Sequence, residues 1–183
     1  MNLKKRGLSP VVASVLIILI TVVAAMVIAS FVIPWVGQIG EEGQECFNVL
    51  GDLSFKSTPY MCYGYDEVNT QNVTGFSVEI NSDEIEGFIL FGIKGGSSDR
   101  FVILDGDSHP ELKMLENADF NTPLDVPSRG GVVTYVYDGY IDSFEIRPIL
   151  KGGNECERSD SFEPRLCSND EVVLCMSRSG DFC

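Results

Sequence analysis

Acidic residues are missing from the start of the chain, where the first Asp or Glu is Glu41. No cysteine precedes Cys46, and the whole chain has one His and one Trp. Each shortage excludes something. With only His109 available, a His-rich metal site cannot be built, and any Ser-His-Asp site would have to use that one imidazole. Its setting, Asp105-Gly106-Asp107-Ser108-His109-Pro110, reads as a turn. Asp105 and Asp107 begin like a calcium loop, but the later Gly and the distal Glu are not at the required offsets. Gly95-Gly96-Ser97-Ser98 has neither the Lys nor the following helix of a phosphate loop. The six Cys contain no Cys-x-x-Cys pair, which argues against zinc. These absences predict no catalytic centre, no metal and no cofactor.

Cations are scarce as well. The 183 residues hold 13 Lys and Arg against 27 Asp and Glu, a net charge of −14. Lys4, Lys5 and Arg6 stand apart at the N-terminus, so beyond them ten Lys and Arg face 27 Asp and Glu, a balance of −17. So acidic a surface excludes nucleic acid and anionic lipid as natural partners and predicts a soluble, mutually repelling exterior.

What the beginning does have is an uncharged run from Val11 to Val36, immediately after the three cations. Its interior polar residues are Ser14, Thr21 and Ser30, small hydroxyls able to bond to their own helix. So long an apolar run predicts a membrane-crossing helix. From Pro10 to Ile33 it rises roughly 36 Å, more than a hydrocarbon core of about 30 Å, so a modest tilt is expected. Ser9 is suited to cap the first turn, and Pro10 to the first helical position. The basic residues before the run predict a cytoplasmic N-terminus and an exterior remainder, with Pro34-Trp35 at the far interface.

The stretch Lys5-Arg6-Gly7-Leu8-Ser9-Pro10-Val11-Val12-Ala13 resembles the N-terminus of archaeal type IV pilins. The resemblance covers about a sixth of the chain. It implies that a membrane-embedded prepilin peptidase cuts between Gly7 and Leu8. Removal of the three cations would free the helix to leave the bilayer and enter a filament core. Bacterial type IV pilins usually carry Glu at the fifth mature position. Val12 stands there, in keeping with archaeal pilins, which often lack it. An ordinary secretory signal, cut after Ala25 or Ala29, has a much shorter apolar region than this one. An uncut anchor would not need the Gly-Leu-Ser-Pro junction.

The expected organisation is a leader over 1–7, a transmembrane and filament-core helix over 8–36, a flexible linker over 37–45 and an extracellular β domain over 46–183. The linker reading rests on Gly37, Gly40 and Gly43 among three Glu. Within the helix, Ser14, Thr21, Ala25 and Ala29 fall near one face and offer a seam for like helices.

In the head, Gly75 to Asn81 alternates, with Phe76, Val78 and Ile80 on one side. Strands are also predicted over Gly87–Lys94, Arg100–Leu104, Gly131–Asp138, Tyr140–Leu150 and Glu171–Cys175. Asp138-Gly139 reads as a hairpin turn and Glu111–Ala118 as a short helix or turn. Many short strands with Gly-rich turns predict a sandwich or barrel.

Cys46, Cys62, Cys156, Cys167, Cys175 and Cys183 all follow the helix, an exterior setting that predicts three disulfides. Fifteen connectivities are open. Closing Cys46 to Cys62 would stabilise by about 3 kcal/mol, and the other four could staple the C-terminal tail. Asn72-Val73-Thr74 is an N-glycosylation sequon expected on an outward loop. Tyr60, Tyr63 and Tyr65 suggest half-buried or inter-subunit packing.

The predicted function is a structural subunit of a pilus-like surface filament that serves adhesion. It resides in the membrane before assembly and at the cell surface after. Its partners are the bilayer, like subunits, and by resemblance the prepilin peptidase and the pilus assembly machinery. The alternatives are a membrane-anchored minor pilin or surface-binding protein, and an anchored extracytoplasmic enzyme.

Overall fold

The computed structural model describes residues 10–66, 70–117 and 119–177, and for 33–43 the backbone alone. The chain divides into two compact units, Met1–Glu45 and Cys46–Cys183. The first is helical and the second mostly β, as the sequence predicts.

Helix α1 spans Pro10–Asn48. It opens at Pro10, whose missing N–H and fixed φ suit a first helical position. It does not stop near Val36. Residues 37–45, expected to form a linker, continue the helix, and its last turn from Cys46 belongs to the β unit. The physical reason is that extending an existing helix needs no new nucleus. Gln38, Glu41, Glu42, Gln44 and Glu45 are good helix formers that offset the three glycines.

The β unit is a two-sheet sandwich. Its strands are β1 (Leu53–Phe55), β2 (Cys62–Asp66), β3 (Gln71–Ile80), β4 (Ile85–Lys94), β5 (Ser97–Ile103), β6 (Leu112–Met114), β7 (Gly131–Asp138), β8 (Ser143–Leu150), β9 (Asp160–Phe162) and β10 (Arg165–Leu166). One sheet runs β10-β2-β3-β7-β6, and the other β5-β4-β8-β9. Strand β3 is long enough to share one edge between two partners. Its first four residues pair β2 and its last three pair β1, while β7 lines the opposite edge from Val73 to Ile80. The predicted alternation holds on its core side, where Phe76, Val78 and Ile80 are all fully buried.

Aromatic rings join the two sheets. Phe76 of β3 lies 4.7 Å from Phe144 of β8, and Tyr135 of β7 lies 5.7 Å from Phe88 of β4, centroid to centroid. Rings at these separations add to the burial of their area. Tyr135 brings a hydroxyl into this core and donates it to the Asp125 carbonyl at 2.6 Å. Burial, with Asp125 and Asp105 nearby, raises its pKa far above the ordinary tyrosine value.

Three local expectations fail. Asp138-Gly139 is not a hairpin, because β7 and β8 lie in different sheets; it is the corner where the chain changes layer. A two-residue hairpin turn does occur at Gly95-Gly96, between Lys94 and its partner Ser97. Both glycines have positive φ, as a two-residue turn with the strands' own twist requires. Glu111–Ala118, expected to be a short helix or a turn, contains the short strand β6 between turn residues, since the chain there pairs with β7; Ala118 itself lies outside the described residues. Glu171–Cys175 is helical, inside α2 (Asp170–Ser177). Asn169 starts it, its side-chain oxygen accepting from Glu171 N at 3.0 Å, and Asp170 and Glu171 suit the positive end of the helix.

Helix α2 covers the outer face of the first sheet. Val173 and Met176 bury against Val73, Val136 and Cys62 in a second, smaller core. Two glycines permit the approach. A methyl group on Gly64 would meet the Val173 side chain, and one on Gly75 would meet the Tyr60 carbonyl and the Met176 sulfur.

Candidate assembly helix and disulfide framework

From Pro10 to Val32, α1 is long and apolar enough to cross a membrane, and none of this stretch is buried. Val11 is 69% exposed and Phe31 74%. The polar groups in this stretch are satisfied within the helix. Ser14 donates to Val11 O at 2.9 Å, Thr21 to Ile18 O at 2.9 Å and Ser30 to Val27 O at 2.8 Å. The hydroxyls therefore make no demand on water and can lie in hydrocarbon. At 100° per residue, Ser14, Thr21, Ala25 and Ala29 fall within one narrow face. Gly7, Leu8 and the cap residue Ser9 lie outside the described residues.

The head is tied by cross-links between segments far apart in sequence. Cys46 pairs with Cys156 and Cys62 with Cys167, at separations of 110 and 105 residues. Cys175 is disulfide-bonded as well, and Cys183 lies outside the described residues. The short closure of Cys46 to Cys62 is thus replaced by two long ones. Cys156 and Cys167 do not staple the tail to itself but reach back to the start of the β unit. The fold decides this: β10 runs parallel to β2 with Arg165 opposite Cys62, which brings Cys167 to Cys62. Cys156 lies beside β8, its N–H donating to Pro148 O at 3.0 Å.

No protein-family model matches this chain, and no curated protein or solved structure is significantly similar to it.

The other singled-out residues have structural placements. His109 Nε2 lies 2.6 Å from the Val102 carbonyl, and its ring stands edge-on to Phe101 at 5.6 Å. Asp107 accepts from Leu104 N at 3.2 Å and fastens its own turn, while Asp105 accepts from Val126 N at 3.5 Å and ties that turn to the segment before β7. Among the described residues, no group of three or more His, Cys, Asp or Glu is placed to hold a metal ion. Gly95 donates its N–H to Asp142 at 2.7 Å, which ties the β4–β5 turn to the segment before β8.

The three tyrosines do not converge. Tyr60 lies half-buried with its hydroxyl 3.7 Å from Cys175 Sγ, Tyr63 stacks edge-on to Tyr140 at 4.8 Å, and Tyr65 is exposed. Asn72 is exposed, yet it stands in strand β3 opposite Tyr65, not in a loop. Thr74 of the same sequon is fully buried and donates to Gly139 O at 2.7 Å.

Two cations that lie against aromatic rings escaped the sequence reading. Lys113 in β6 has no exposed surface and lies 5.2 Å from the Phe120 ring centre. Burial lowers its pKa, and the nearby Asp119 works against that shift. Arg147 in β8 lies over Phe91 of β4 at 4.8 Å. Arg147 falls within a strand the sequence predicts and Lys113 does not, and nothing local announces that a cation would stack on a ring at either place.

Proposed function

We propose that this chain is a structural subunit of an archaeal type IV pilus-like surface filament, released from its leader between Gly7 and Leu8 and assembled through α1. The observation that carries the reading is the wholly unburied apolar helix from Pro10 to Val32, in a chain whose other unit is a disulfide-tied β sandwich. About twenty apolar side chains at roughly 1.5 kcal/mol each make exposure of this helix to water prohibitive. Two surroundings are acceptable, a bilayer or a bundle of like helices. The leader's three cations hold the helix in the first, and their removal opens the second. The face containing Ser14, Thr21, Ala25 and Ala29 allows close backbone approach in the bundle. The head then lies outside the membrane, where disulfides persist and an acidic surface keeps neighbours soluble. Adhesion is the role this arrangement serves.

Shearing filaments from the cell surface and sequencing the N-terminus of their subunits tests the reading. A start at Leu8 is expected, and bulky replacements of Gly7 should block processing. An intact Met1, or a start after Ala25 or Ala29, would overturn it. Ala25→Leu or Ala29→Leu should lower filament yield with membrane insertion unchanged, because Leu is more apolar than Ala but too large for the seam. Wild-type protein found only in the membrane fraction would favour a membrane-anchored minor subunit instead.

A further inference from the structure

We propose that the two long disulfides form a doubled load path through the head, so that tension entering from α1 and leaving after Cys167 bypasses residues 63–155. The proposal applies equally to a filament subunit and to an uncut membrane anchor.

The argument is one of covalent connectivity. The chain enters the β unit at Cys46, in the last turn of α1. Without cross-links, a pull on α1 would pass along residues 49–52 into β1, which is held to β3 by three residue pairs. Peeling β1 would then expose β3, the strand on which the first sheet depends. The Cys46–Cys156 bond diverts that pull to the far end of the sequence, beside β8. Cys62–Cys167 creates a second junction. Two chain segments connect the junctions, residues 46–62 and residues 156–167. Only these segments and the bonds themselves bear the load. The chain from residue 63 to residue 155, which contains β3 to β8, forms a closed loop between them and stays slack.

The two bridges are also redundant. The shorter connecting segment, from Cys156 to Cys167, is eleven residues long and cannot stretch beyond about 40 Å. If Cys46–Cys156 is lost, the pull runs from Cys46 to Cys62 and crosses to Cys167, a path of sixteen residues. That adds only about 20 Å of reach. If Cys62–Cys167 is lost instead, the eleven-residue path is unchanged. Loss of both bridges is needed to put the 110 residues behind Cys46–Cys156 under load, which adds about 380 Å.

The test is single-molecule stretching of the full chain, held by α1 in a lipid nanodisc and pulled from a handle after Cys183. Oxidised wild type, Cys46→Ser with Cys156→Ser, and Cys62→Ser with Cys167→Ser should agree in maximum extension to within about 20 Å. Thiol reductant, or all four substitutions together, should add roughly 380 Å. The limit is covalent, so it holds even where a single-bridge variant is less stable. Extension of the oxidised wild type, or of either single-bridge variant, by several hundred ångströms would overturn the proposal. So would a reductant that adds no length. The N-terminus of sheared subunits is read separately, so failure here does not depend on failure of the filament reading.

Discussion

Helix α1 and the β unit use apolar side chains in opposite ways. Between Pro10 and Val32, Val, Ile and Leu all point outward, and the backbone is paired along the helix itself. In the sandwich, Phe76, Val78, Phe88 and Leu90 are fully inside, and each strand's backbone is satisfied by another strand. The helix is therefore complete as a fold and incomplete as a surface. The β unit is complete as a surface and depends on distant partners for its fold. Changes to one unit should leave the other intact, and this separation can be tested.

The largest effect is expected at the centre of the sandwich. Phe76→Ala removes a ring that touches Phe55, Tyr135 and Phe144, and should cost the head about 3–5 kcal/mol. Denaturant unfolding of nanodisc-held protein measures it, while resistance of α1 to alkaline extraction should not change. Next comes the reverse experiment. Ile20→Lys places a charge in mid-helix and should weaken insertion by about 2.5–3.5 kcal/mol. The near-ultraviolet circular dichroism of the head should stay as it is. A head that unfolded with this substitution would show that the two units depend on each other.

A smaller loss, about 1–3 kcal/mol, is expected from Gly75→Ala, whose methyl group pushes the Tyr60 carbonyl and Met176 away from the sheet. Protease cleavage near α2 should rise before global unfolding does. The smallest effect appears in alkali. The Tyr135 pKa is raised in the fold, so above pH 10 the unfolded chain loses its phenolic proton while the folded one keeps it. Stability should fall as pH rises through that range, by under about 1 kcal/mol per such tyrosine at pH 10.5. Tyr135→Phe should flatten the slope. Tyr137 and Tyr140 are raised too and leave part of it. Lys113, lowered by burial, has the opposite slope below its unfolded value of 10.5.

How much could be read from residues follows from the same contrast. Helix α1 was legible because its signal is local, although its continuation past Val36 was hidden by three glycines that look like a linker. Strands β3, β4, β5, β7 and β8 were legible from alternation and β-branched content. Strands β1, β6, β9 and β10 have two or three residues each and exist because a neighbour offers an edge, so no window of sequence contains their cause. Val172-Val173 suggested a strand, but the Asn169 cap and the acidic first turn favoured a helix. The need for disulfides was visible in the even cysteine count on one side of the apolar run. Their pairing was not, because it depends on β10 lying parallel to β2.

The corner at Asp138-Gly139 has a consequence in time. Because β7 returns to β3 and β8 to β4, each sheet's central pairing joins residues roughly sixty positions apart, such as Val73 with Asp138 and Ile85 with Leu150. Contacts so remote form slowly, since the intervening chain must first be brought round. A chain delivered from its N-terminus cannot complete the second sheet until Phe162 has arrived, nor the first until Leu166, nor close Cys62 to Cys167 until just after. Folding of the β unit is therefore a late event that waits for nearly the whole chain.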